Sequence, residues 1–171
     1  MKFSLSWLKA HLETDATIEQ VADCLNAIGL EVEGIDDPSA KLAKFTIARV
    51  VEAKPHPNAD KLRVLQVEIE TGKPTVEVVC GAPNARAGMY GVFAPLGAYI
   101  PGTDLTLEKK PVRGIVSNGM MLSEREMQLS EDHNGIVDLD AKFADKVGAR
   151  YVDVLGLSDP VIEVKLTPNR P

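Results

Sequence analysis

A histidine between two prolines, followed by a short polar and cationic run, is the stretch of this chain best equipped for chemistry: His56-Pro57-Asn58-Ala59-Asp60-Lys61-Leu62-Arg63-Val64. Pro55 and Pro57 fix the backbone and remove two amide donors, which predicts a rigid turn rather than the interior of a helix or sheet. Asn58 and Asp60 can bond their own backbone and hold that turn sharp. Lys61 and Arg63 are then delivered at the start of an alternating strand over 62–69, where two cations suit a phosphodiester backbone. The same groups would serve equally well to staple a corner shut, and the segment alone leaves both roles open.

A second cluster runs from Arg113 to Glu126. Its two glycines, Gly114 and Gly119, permit close backbone approach, and Ser117 and Asn118 are adaptable donors. Ser123 and Glu126 stand at capping-box spacing, which predicts a brief helix whose free N-terminal amides favour an anion. Lys109, Lys110 and Arg113 lie just upstream. In the competing reading Ser123 only caps, Glu124 is a structural acceptor, and Met120, Met121 and Leu122 belong to a core. A third block, 79–86, reads as a strand running into a glycine-loosened loop that offers Asn84 and Arg86 to a ligand.

Independent catalysis is not expected. His56, Asp60 and Ser117 or Ser123 are the residue types of an acyl-transfer triad, but no strand–nucleophile–helix elbow surrounds either serine. Cys80 sits in an apolar strand, where a thiol is inert. His11 and His133 are isolated, so no metal site is expected, and no glycine-rich loop with Lys-Ser/Thr is present for nucleotide phosphates.

The charge balance restricts where a polyanion could bind. The 171 residues carry 19 Lys/Arg against 25 Asp/Glu, a net charge of −6. Residues 40–150 hold 15 of the cations and 14 of the acids, a net +1, whereas the flanks hold 4 against 11, a net −7. The centre is the only plausible binder of a polyanion, and its mild field predicts affinity that falls steeply with salt. Two scattered cysteines, no export segment and no run of membrane-spanning length predict a reduced, soluble, cytoplasmic protein.

Local patterns place these clusters on elements. A first helix has Leu5, Leu8 and Leu12 on one face with Ser4 as cap. A second opens on a Thr17/Gln20 capping box, is lined by Ile18, Val21, Leu25 and Ile28, and ends at Gly29. A strand over 30–35 follows, and Pro38-Ser39 marks a boundary. From about 44 to 140, short strands alternate with Gly/Pro turns: 45–53, 62–69, 75–80, 90–94 and from Leu105 onward. Five such strands predict a small closed barrel of the oligonucleotide-binding (OB) type. A last strand over 161–166, pairing near 31–36, is followed by Thr167-Pro168-Asn169-Arg170-Pro171, which has the form of a helix start. The fold class expected is mainly β: a five-stranded OB-type barrel (40–150) inserted into a small α+β domain built from 1–39 and 151–171.

With these blocks in view, the chain resembles the N-terminal part of bacterial phenylalanine–tRNA ligase β subunits. The resemblance rests on Met1-Lys2-Phe3-Ser4-Leu5-Ser6-Trp7-Leu8, on 56–64, 80–84 and 114–124, and on Thr167-Pro168-Asn169-Arg170-Pro171. The central blocks also resemble a wider group of tRNA-binding barrels, whereas the two ends point to the phenylalanine enzyme. It implies a fragment without aminoacylation or editing sites and without a cofactor of its own. The parent would attach phenylalanine to tRNA with ATP and Mg²⁺, in the cytoplasm and together with an α subunit. By position, the resemblance puts Lys61, Arg63 and Arg113 on phosphates, Asn84, Ser117 and Asn118 on sugar or backbone oxygens, and Arg86 on the same RNA-facing side. His56, Asn58, Asp60, Ser123 and Glu124 would shape the loops. Stacking aromatics are few (Phe45, Tyr90, Phe93 and Tyr99), so recognition would follow the shape of folded tRNA. The alternatives are a scaffold between domains or subunits without RNA contact, and a free-standing tRNA-binding protein, which the split flanks disfavour. The RNA-binding reading requires Lys61 and Arg113 to lie side by side.

Overall fold

A computed structural model of the chain describes residues 1–165. Along the chain the elements are β1 (Lys2–Ser4), α1 (Leu5–His11), α2 (Ile18–Ala27), β2 (Glu31–Asp36), α3 (Pro38–Leu42), β3 (Thr46–His56), β4 (Ala59–Glu68), β5 (Val76–Cys80), β6 (Tyr90–Pro95), β7 (Tyr99–Ile100), β8 (Leu105–Thr106), β9 (Lys110–Val112), β10 (Ile115–Ser117), β11 (Gly119–Met121), a 3-10 turn (Ala141–Lys146), α4 (Tyr151–Val154) and β12 (Val161–Lys165). They form two compact units, one of residues 1–40 with those from 156 onward, the other of residues 41–155. No described helix is long and apolar enough to cross a membrane.

In the first unit α2 forms where the capping box predicts it: Thr17 Oγ1 accepts from the Gln20 amide while Gln20 Oε1 accepts from the Thr17 amide. Its apolar stripe delivers Val21 onto Ile162 and Val164, with Phe3, Leu8, Leu25 and Val32 packed around them. β12 is the middle strand of a three-stranded antiparallel sheet, between β1 and β2. The expected pairing of the last strand with 31–36 is therefore present. β1 was not expected, because its three residues are too few to show a period of two. The helix start expected at 167–171 lies outside the described residues.

The second unit is a five-stranded antiparallel sheet in the order β11-β6-β3-β4-β5, curled into a nearly closed barrel. Alternation along β3, β4 and β5 sends Ala48 and Val50, Leu65 and Val67, and Val78 and Cys80 into one core with Phe93 and Met121. The last gap, between β11 and β5, is bridged by Asn118 and Ser117. The Asn118 amide and Nδ2 both donate to Glu77 O, at 2.9 and 3.3 Å. Ser117 Oγ accepts from the Val79 amide at 3.0 Å and donates to Gly119 O at 2.8 Å.

Three sequence expectations change here. The fifth barrel strand is β11, not the segment from Leu105, which forms only the two-residue strand β8 against β7. β11 escapes pattern reading because it is three residues long and opens on Gly119. That glycine has φ +150°, and a Cβ there would lie 2.4 Å from the Phe93 ring. The helix expected at Ser123 is absent. Ser123 and Glu126 do make their capping contacts, but 124–128 are turns, and Gln128 at φ +57° ends the run. Finally, Pro55 and His56 belong to β3. The sheet tolerates the proline because pairing slips beside it, Pro55 facing Arg63 and His56 facing Ala59, so that 60–62 bulge out of register.

Candidate nucleic-acid interface

The rigid segment of the sequence reduces to a tight hairpin tip, Pro57-Asn58, between β3 and β4. A second tip, Arg113-Gly114, joins β9 to β10. Both of its residues have positive φ, +52° and +96°. This is the pattern of a type I′ turn, whose twist matches that of paired strands. For arginine the left-handed conformation costs about 1–2 kcal/mol, so neighbouring contacts must hold it.

Those contacts come from the first tip. His56 is buried and is the bridge: Nε2 donates to Val112 O at 3.0 Å, and Nδ1 accepts the Asn58 amide at 3.0 Å. One donor and one acceptor fix the neutral Nε2–H tautomer. Asn58 Nδ2 then donates to Arg113 O at 3.2 Å. A Cβ on Gly114 would sit 3.6 Å from that same nitrogen. The two tips are clasped directly to each other.

Lys61 and Arg113 therefore occupy one end of the barrel. Lys61 is three residues beyond Asn58, which keeps the two Cα atoms within about 11 Å. Both cations are exposed, and neither has a charged or hydrogen-bonded partner for its side chain among the described residues. Asp60 is exposed in the same bulge. Exposed cations on a braced corner can take up phosphate oxygens at little cost in backbone ordering.

The other candidates are held within the barrel unit. Arg63 is exposed, but its guanidinium donates to Ala85 O. Asn84 clamps the chain opposite, Nδ2 donating to Ile136 O at 2.8 Å and Oδ1 accepting from Ile136 N at 3.0 Å. Arg86 pairs with Asp138 at 2.9 Å. Ser117 and Asn118 bridge the β5–β11 gap. Ser123 is capped by Glu126, and Glu124 accepts from Ser130 Oγ at 2.6 Å. Burial pushes the Cys80 thiol up, with the Ala82 amide opposing it. Among the described residues no group of His, Cys, Asp and Glu could hold a metal ion.

Two features of the corner were missed in the sequence. Val112 contributes only a carbonyl, which no side-chain pattern reveals. The Arg113-Gly114 hairpin carried a usable signal, a residue pair ending in glycine between two short β runs.

Residues 45–147 match the model of a family described as "Putative tRNA binding domain". The chain belongs to this tRNA-binding domain family. The matched segment contains the whole barrel and both clasped tips. Over its full length the chain is also 56% identical to the phenylalanine–tRNA ligase β subunit of Mesorhizobium japonicum, covering 100% of this chain and 21% of that protein. It is 52% identical to the β subunit of Cereibacter sphaeroides, covering 100% of this chain and 22% of that protein. It is 58% identical to that of Brucella abortus, covering 99% of this chain and 21% of that protein. The chain thus spans about a fifth of the length of these relatives.

Proposed function

We propose that this chain is an RNA-contacting, non-catalytic part of a phenylalanine–tRNA ligase β subunit, docking on tRNA through the corner built by the Pro57-Asn58 and Arg113-Gly114 tips. The observation that supports this reading is the clasp of His56 and Asn58 on Val112 and Arg113, which joins the tip bearing Arg113 to the hairpin that leads into Lys61. Lys61 and Arg113 contact phosphates. Arg63 adds positive potential, Arg86 does so less because Asp138 pairs with it, and Asn84, Ser117 and Asn118 act chiefly by holding the barrel that carries the corner. His56, Asn58, Asp60, Ser123 and Glu124 keep the loops in shape. Two cations give modest, salt-sensitive affinity, suited to an auxiliary contact.

In this reading residues 40–150 are the tRNA-binding domain, and 1–39 with 151–171 are parts of a split α+β domain. The parent enzyme attaches phenylalanine to tRNA with ATP and Mg²⁺, works in the cytoplasm, and pairs with an α subunit. The aminoacylation and editing sites and the cofactor sites belong to other parts of that assembly.

Titration of a tRNA transcript into the purified chain at low salt tests the reading. Saturable association is expected, weakened by about 1–3 kcal/mol in Lys61→Ala/Arg113→Ala, the scale of charge-assisted contacts. A folded chain that shows no association even at low salt would overturn it in favour of a scaffold.

A further inference from the structure

A cleft of about 300 Å³ opens beside the β5–β11 seam, at the small end of the range for ligand sites. Pro83, Met120 and Met121 supply apolar walls, and Ser123, Glu126 and His133 supply polar groups. We infer that this cleft receives one unpaired nucleobase bearing an exocyclic amine, with Glu126 as the acceptor. The inference rests on the tRNA-contacting reading and extends it from phosphates to a base.

Three observations point there. Glu126 Oε2 accepts from both the Ser123 amide and the Ser123 hydroxyl, at 2.5 and 2.7 Å, which fixes the carboxylate in place. Oε1 has no partner among the described residues. A carboxylate lining a largely apolar cleft repels a phosphate and accepts from an amine, the way acidic side chains take the N4 amine of cytosine. The cleft also adjoins a groove on the side of the cationic corner. Val79 and Met120 line both this cleft and an apolar groove that reaches Val112, whose carbonyl His56 holds. A strand whose phosphates rest on Arg113 can therefore follow the groove and turn one base into the cleft. Methionine side chains can adapt to a flat ring.

The test uses the hexamers rC6 and rU6, which share ribose and phosphate; cytosine carries the N4 amine and an N3 acceptor where uracil has a carbonyl and an N3–H. Affinities are measured for the intact chain, and methionine methyl resonances are followed by NMR. Of the five methionines only Met120 and Met121 line the cleft, so Met1, Met89 and Met127 are internal controls. rC6 is expected to bind roughly tenfold tighter than rU6, the scale of one hydrogen bond to a charged group, and to shift the Met120 and Met121 methyls. Glu126→Gln should bring the ratio close to one. His133→Trp, at an exposed position whose ring bonds only Glu131 O, should do so by blocking the mouth without touching the capping contacts. Lys61→Ala/Arg113→Ala should weaken both hexamers and keep their ratio. Equal binding of the two hexamers, an unchanged ratio in His133→Trp, or silent Met120 and Met121 methyls would overturn the cleft assignment. Binding of tRNA but of neither hexamer would overturn it and leave the corner standing. Binding of neither tRNA nor hexamers would overturn both.

Discussion

Replacing His56 by alanine removes the bridge between the two hairpin tips, and the structure sets the cost. The imidazole is only 4% exposed and serves two backbone groups, Val112 O and the Asn58 amide. Leaving a buried backbone group unpaired costs about 1–3 kcal/mol. The tips lie at the barrel rim, where water can reach part of what the ring vacates, so the lower half of that range applies to each. The expected loss is about 2–4 kcal/mol, against a total of about 5–15 kcal/mol for a typical domain. For a unit of this size, about 3 kcal/mol lowers the melting temperature by roughly 12 °C. Urea unfolding followed by circular dichroism reads the loss as a lower midpoint with an unchanged slope. The same variant, assayed for tRNA at a temperature where it remains folded, should bind more weakly although no cation has been removed, because Arg113 is released from its left-handed turn. His56→Gln, able to keep one of the two bonds, should fall between. A loss below about 0.5 kcal/mol with unchanged tRNA affinity would refute the clasp as the element that positions the cations.

Three further outcomes follow from the barrel and the first unit. Gly119→Ala should destabilise by several kcal/mol, since its Cβ would enter the buried Phe93 ring at a backbone angle that suits glycine; denaturant titration reads this directly. Ser117→Ala should cost about 1–3 kcal/mol by leaving the Val79 amide without an acceptor at the seam, with tRNA affinity per folded molecule close to that of the parent chain. In the first unit, burial alone would raise the Asp159 carboxyl, but hydrogen bonds from the Ser6 and Ser4 hydroxyls and the Ser6 amide outweigh it and lower its pKa. A folded-state pKa below the unfolded value of about 3.9 means that this contribution is complete above that pH and is lost as pH falls through the lowered value. Fluorescence of Trp7, the single tryptophan, should therefore report acid destabilisation below about pH 4 that Asp159→Asn lacks.

The parts of the fold that were legible in the sequence are those decided locally. The Thr17/Gln20 box, the Gly29 stop and the alternation of 62–69 each follow from residues within one or two turns of each other, and the structure has them. The Ser123/Glu126 box shows the limit of that reasoning. Its contacts form, yet no helix follows, because a cap satisfies amides while only an apolar stripe continues a helix, and 128–135 offers none. The site was harder for a related reason. A serine or asparagine beside glycine reads as a ligand donor, but Ser117 and Asn118 meet Val79 and Glu77 across the barrel seam, a contact some forty residues distant in sequence. The clasp between the two tips was likewise invisible in spacing, since it depends on a histidine reaching the carbonyl of Val112.

The central claim, that two clasped corners present their cations to tRNA as one surface, is tested most directly by the salt dependence of binding. The logarithm of the association constant should fall linearly with the logarithm of salt concentration. The slope for Lys61→Ala/Arg113→Ala should be shallower than that of the parent chain by roughly 1.4–1.8, the release expected from two phosphate contacts. An identical slope and affinity in the folded double variant would contradict the account.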